Sequence, residues 1–106
     1  MELYHEIRTD AYVIILAGSI DEGNAGELNL AIHKAIKSGR EKILVDGLKL
    51  TFITQEGIGI FLSNLPHLRQ KGIQLTFAGL NAKTRQVYQD MGLDSLLSLP
   101  DSSLVA

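Results

Sequence analysis

The chain has 106 residues, enough for one hydrophobic core and too few for two, and a 45% hydrophobic to 21% charged composition places it among ordinary globular domains. A formal net charge of −2 argues against nucleic acid or an anionic membrane as partner, since both select a basic face. The absence of cysteine removes disulfides, thiolate-held zinc and thiol catalysis together.

In chain order, Leu3, His5 and Ile7 fall on one side of an extended segment and Tyr4, Glu6 and Arg8 on the other, the period of an edge strand. This start shows none of the order of a signal peptide, and no apolar run reaches the roughly 18–20 residues that span a bilayer, so a cytoplasmic protein is expected. Thr9-Asp10 makes a turn into residues 11–17, a continuous β-rich run that predicts a strand covered on both faces and paired with the first. Residues 18–26 form a loop by their glycines. Asn24 is expected to cap a helix to about Ser38, with Leu28, Ala31, Ile32, Ala35 and Ile36 as its apolar stripe and Gly39 as its stop. The densest basic group, residues 34–42, is interrupted by Glu41 and apolar positions and reads as a solvated helix end.

Residues 42–46 read as a central strand that ends at Asp46, followed by a loop over residues 47–50. At Thr54 a short apolar run breaks and restarts with helical spacing. Thr54 can cap that helix through its hydroxyl, and Glu56 then lies in the first turn, where the helix dipole favours negative charge. Ile60, Phe61, Leu65 and Leu68 are expected to face inward, and Pro66 predicts a kink or two shorter helices. Lys71-Gly72 closes the segment, and residues 73–78 are the clearest alternating strand. A last helix is expected from Asn81, with Val87, Tyr88 and Met91 inward, stopping at Gly92 before a short apolar tail. The order β-β-α-β-α-β-α predicts a single α/β domain over residues 1–106, an α+β-like mixed sheet with helices mainly on one face.

Catalytic chemistry is not indicated. His5, His33 and His67 fall on three different elements with no second ligand at metal spacing. Gly57-x-Gly59 lacks the third glycine of a dinucleotide fingerprint, no phosphate-loop lysine motif or Gly-x-Ser-x-Gly nucleophile is present, and no enzyme, metal or cofactor is expected.

The run Leu-Thr-Phe-Ile at 50–53, the polar tripeptide Thr54-Gln55-Glu56 and then Gly57-Ile58-Gly59 resemble the core motif of STAS domains, the module of bacterial anti-sigma factor antagonists and of sulfate transporter tails. Gly18-x-Ile20-Asp21 followed by Ala25 and Leu28, and the segment from Asp90 onward, extend the resemblance from about Tyr12 to the end. In the antagonists the tripeptide is usually Asp-Ser-Ser or Asp-Ser-Thr, and one hydroxyl is phosphorylated by a partner kinase. Phosphate adds roughly −1.5 to −2 charges at the helix start and breaks the partner contact.

Here Gln55 and Glu56 hold the acceptor-equivalent positions without a hydroxyl, and Thr54 is the possible substitute acceptor. The resemblance implies a non-enzymatic regulatory module that binds a kinase-type anti-sigma factor or similar protein through Asp21, Asn24, Asp46, Thr54, Gln55, Glu56 and Gly57, and that is not switched at the usual site. Asp46, like the family residue near the tip, has a simpler reading as a turn former before Gly47, and helix capping alone would explain Thr-Gln-Glu. Two other functions stay open: a structural subunit of a larger complex or transporter assembly, and a small-ligand or nucleotide sensor using the groove between the Asp21 loop and the Thr54 tip.

Overall fold

The computed structural model describes residues 1–79 together with Gln86 and Asp90. Apart from Gln86 and Asp90, which are helical and joined by a 2.7 Å side-chain bond, the helix expected from Asn81 and the tail after it lie outside the described residues. Strand β1 (Glu2–Ile7) turns back through an Arg8 N–H to Ala11 C=O bond of 2.8 Å and pairs antiparallel with β2 (Ala11–Ile20). Helix α1 (Ala25–Lys37) crosses to β3 (Lys42–Ile53), and α2 (Gln55–Gln70) crosses to β4 (Gln74–Ala78). The four-stranded sheet has the order β1-β2-β3-β4, with β2, β3 and β4 mutually parallel. This is the mixed sheet that the alternation of strand and helix patterns predicts.

Residues paired across a sheet share a face, and this fixes where the core lies. Tyr12 pairs with Ile43 and Ile43 with Leu75, while Ile14 pairs with Val45 and Val45 with Phe77. All six are buried and pack in one cluster with Leu28, Ile32 and Ile36 of α1 and Ile58, Phe61 and Leu68 of α2. Both helices therefore cover the same face. On the opposite face Val13 is buried, but Ile15 and Ala17 are only half-buried, so β2 is less completely covered than its unbroken apolar run suggests.

Four local expectations change. Strand β2 continues past Ala17 to Ile20, and β3 continues past Asp46 to Ile53, because the two pair in parallel across those extensions. The glycines that read as loop starts sit at irregularities inside the strands. The register shifts between Ile15 and Ala17 and again between Gly18 and Ser19, and Gly18 takes φ 86°, open mainly to glycine. In α2 the inward stripe is Gly57, Ile58, Phe61, Asn64, Leu65 and Leu68, and Ile60 is only half-buried. The helix is rotated slightly from the expected phase. It also runs unbroken through Pro66, which occupies an exposed position where water can serve a freed carbonyl.

Asn24 precedes α1 as expected, yet its side chain makes no cap bond to that helix. The Asp21 carbonyl instead accepts the Ala25 N–H at 2.9 Å.

Candidate functional site

The parallel pair Ile20 and Ile53 brings the ends of β2 and β3 together, and the Thr54 N–H donates to the Ile20 C=O at 3.0 Å. The loop after β2 and the start of α2 thus leave the sheet side by side. The loop is held by reciprocal bonds. The Asp21 Oδ1 accepts the N–H groups of Gly23 (2.9 Å) and Asn24 (3.2 Å), while the Asn24 Oδ1 accepts the Asp21 N–H at 2.9 Å. The Asn24 amide also donates to the Ser19 C=O at 2.9 Å, which ties the loop to its own strand. These bonds fix the loop without help from a partner, which lowers the ordering cost of any later association.

Thr54 has the extended backbone of an N-cap (φ −83°, ψ 170°), and its Oγ1 accepts the Gly57 N–H at 3.4 Å. Its carbonyl accepts the Ile58 N–H at 3.0 Å, closing the first turn. Gln55 and Glu56 are exposed, and among the described residues neither side chain has a hydrogen-bond or ion-pair partner. Gly57 is buried beneath them. An added Cβ would lie 2.7 Å from the Ile20 Cγ2 and 2.8 Å from the Ile53 Cγ1, so a bare glycine is what lets α2 start directly on the strand ends.

Asp21, Asn24, Thr54, Gln55 and Glu56 therefore share one tip, and Gly57 supports it from inside instead of offering a surface. Asp46 is elsewhere. It pairs with Ile15 and Ala78 in mid-strand, some 20 Å of extended chain before Ile53, and its Oδ1 accepts the Leu48 N–H at 3.0 Å. That is the local, turn-type role.

The charge around the tip is one-sided. Asp21, Glu22, Glu27 and Glu56 are exposed, and residues 18–33 and 50–66 contain no lysine or arginine. The N-termini of α1 and α2 offset part of this negative charge.

Sequence reasoning missed a polar hub between the helices. Asn64 is 5% exposed, and its amide donates to the Asn29 Oδ1 at 3.0 Å and the Ile60 C=O at 2.8 Å, while its Oδ1 meets the His33 Nε2 at 3.1 Å. A buried amide with every short-range partner supplied fixes the register of α1 on α2. The signal was present, because position 64 continues the stripe of Phe61 and Leu68 at helical spacing. On the edge strand, His5 meets the Tyr12 hydroxyl at 2.6 Å through Nδ1. Loss of water around the ring, then the positive charge of Lys34, push its pKa below the ordinary histidine value and favour the neutral, accepting form.

The cap gives a first prediction. Thr54→Ala is expected to lose about 0.5–1 kcal/mol, the lower part of the range for a capping residue because the bond is long, and Thr54→Ser is expected to keep most of it. Urea denaturation of the three proteins measures both differences. Equal stability of all three would mean that the cap does not form.

Among the described residues no helix is long and apolar enough to cross a membrane, and no group of three or more histidines and carboxylates is arranged to hold a metal. The family model for the STAS domain matches residues 3–104. The chain is 23% identical over 90 residues to BtrV of Bordetella bronchiseptica, which carries the name of an anti-sigma factor antagonist; the match spans 85% of this chain and 78% of that protein. The structure of the anti-sigma factor antagonist SpoIIAA in its unphosphorylated form superposes with a TM-score of 0.82 at 22% identity, over 94% of this chain and 87% of that one. The phosphorylated form of the Bacillus protein SpoIIAA gives 0.74 at 24% identity, over 94% and 90%. The chain thus belongs to the STAS domain family, and its fold is the one that anti-sigma factor antagonists share.

Proposed function

We propose that this STAS domain is a single, non-enzymatic, cytoplasmic binding module of a partner-switching system. It docks on a kinase-type anti-sigma factor, or a similar regulatory protein, through the tip formed by the Asp21 loop and the first turn of α2. It is not switched at the usual positions, where Gln55 and Glu56 offer no hydroxyl to a phosphoryl donor. One observation carries this reading: Gln55 and Glu56 stand exposed and, among the described residues, without a side-chain partner beside a loop already fixed by its own hydrogen bonds. Thr54 is a poor substitute acceptor, since it is half-buried and its hydroxyl serves the cap of α2. SpoIIAA exists in phosphorylated and unphosphorylated forms, and the present tip fits a relative restricted to one of them. Glu56 contributes a single charge on a flat carboxylate, against the roughly −1.5 to −2 charges of a phosphate, and so imitates it weakly.

The test uses the kinase-type anti-sigma factor of the same cell with ATP, followed by mass spectrometry and calorimetry. The wild-type chain is expected to bind and to gain no phosphate, and Gln55→Ser or Glu56→Ser is expected to gain one. A stoichiometric phosphate on the wild-type chain would overturn the unswitched reading, and on Thr54 it would move the switch one residue upstream. Wild-type binding unaffected by Gln55→Arg together with Glu56→Arg would remove the tip as the contact surface.

A further inference from the structure

At the other end of the two helices the charge reverses. The second halves of α1 and α2 and the residues just after them carry Lys34, Lys37, Arg40 and Lys42 from one and His67, Arg69 and Lys71 from the other, with Glu41 as the acid among them. Along the sequence the first set reads as an ordinary solvated helix end. The fold adds the second set opposite it. A cavity of about 250 Å³ opens between the helices, lined by His33, Ile36, Lys37, His67 and Lys71. It shares Ile36 and Lys71 with a neighbouring cavity of about 270 Å³ that continues past Gly39, Arg40 and Ile73 to Glu41. The two make one groove with isoleucine in its lining and cations along its rim.

Cations near helix C-termini are expected, because they offset the negative end of the dipole. That accounts for about half a charge at each helix end, and the rim carries more. Among the described residues none of Lys37, Arg40 and Lys71 has a carboxylate within 4.0 Å, and Arg40 uses its Nε to hold the Arg8 carbonyl at 3.0 Å. Lys37 and Lys71 stand on exposed positions on either side of the opening. A cleft with low-dielectric walls and an excess of one sign of charge concentrates its field on ligands of the opposite sign, and here Lys37, Arg40 and Lys71 outnumber Glu41, which with Asp10 flanks only the Arg40 end.

We infer that this groove is a second docking site, which takes an acidic peptide segment bearing leucine or a similar side chain from a partner protein. The apolar lining receives the hydrocarbon, and Lys37, Arg40 and Lys71 pair with carboxylates on either side of it. The shape favours a peptide over a lone inorganic anion, since a small anion would leave the half-buried Ile73 uncovered, while Ile36, only 5% exposed, forms the floor beneath. The groove stands about 20 Å from the tip along the 16 residues of α2. One module can then hold a regulatory protein at one end and a second, acidic protein at the other. The inference does not depend on the reading of the tip.

The test is fluorescence anisotropy of a labelled acetyl-Asp-Leu-Glu-Asp-Leu-Glu peptide with the whole chain. Binding is expected to weaken at least about tenfold between about 20 mM and about 300 mM salt, where exposed charge pairs become screened. It is expected to weaken by a similar factor in Lys37→Glu with Lys71→Glu, exposed positions whose folding is checked by circular dichroism. Gln55→Ser is expected to leave it unchanged, which separates this site from the tip. No binding at millimolar peptide, or equal binding by the double variant, overturns the inference. Displacement of the peptide by a few millimolar inorganic phosphate, or tighter recruitment to phosphatidylglycerol vesicles than to the peptide, would also overturn it, in favour of a simple anion site or a lipid surface.

Discussion

Phe61→Ala is expected to cost about 3–5 kcal/mol, a large share of the roughly 5–15 kcal/mol that holds a domain of this size together. Phe61 is fully buried, and its ring meets that of Phe77 edge-on, with centroids 4.6 Å apart and planes at 81°. The pair joins α2 to β4, so truncation removes both the transfer energy of the ring and the main aromatic contact between those elements. Ile58, Leu65 and Leu68 lie on the same helical face and are tied to the sheet, which limits how far they can close the gap. The check is the urea midpoint of Phe61→Ala beside Phe61→Leu, which refills much of the volume. A loss under about 1 kcal/mol for the alanine variant would mean that this ring is not at the centre of the core.

The second large effect is expected at Gly79→Ala, at about 2–5 kcal/mol. Gly79 has φ 74°, a conformation that costs about 1–2 kcal/mol for a residue with a Cβ. The added Cβ would also lie 2.9 Å from both the Cα and the N of Leu48. These are backbone atoms of β3 and cannot turn aside as a side chain can, so the clash moves a strand and adds about 1–3 kcal/mol. Gly57 offers a contrast. Its clashes are shorter, but they fall on side-chain atoms of Ile20 and Ile53, and its φ is not in the left-handed region. Gly79→Ala measured beside Gly57→Ala in the same denaturation series tests the argument. If Gly79→Ala is neutral, the close approach of residue 79 to Leu48 is absent in solution.

Much of this architecture was legible because strand and helix differ in period. The alternation of residues 73–78 and the stripe from Leu28 to Ile36 identified their elements and their buried sides. The errors fell where a local cue competed with tertiary pairing. Asp46-Gly47 carries the mark of a turn, and Asp46 does accept the Leu48 N–H in turn fashion, yet β2 holds the chain extended for seven more residues. Gly18 likewise reads as the end of a strand and proves to be an irregularity within one. The tip was legible in part. Thr54 announced the helix start through capping chemistry, whereas the adjacency of Asp21, which the resemblance implied only by grouping it with Thr54, depends on the parallel pairing of β2 and β3 that no local pattern shows. Asn64 was missed because its partners, Asn29 and His33, lie 35 and 31 residues away, and polarity alone does not reveal burial.

The backbone bond from Thr54 to Ile20 and the closed ring of bonds around Asp21 and Asn24 have an evolutionary corollary. The framework of the proposed contact region is built from main-chain atoms and inward residues, while the Gln55 and Glu56 side chains make no hydrogen bond to it among the described residues. Exchanges at such surface positions usually alter stability by less than about 0.5 kcal/mol. If the tip is the docking surface proposed above, recognition can be rewritten there one letter at a time, and a lineage can acquire or discard a modification site while its scaffold stays untouched.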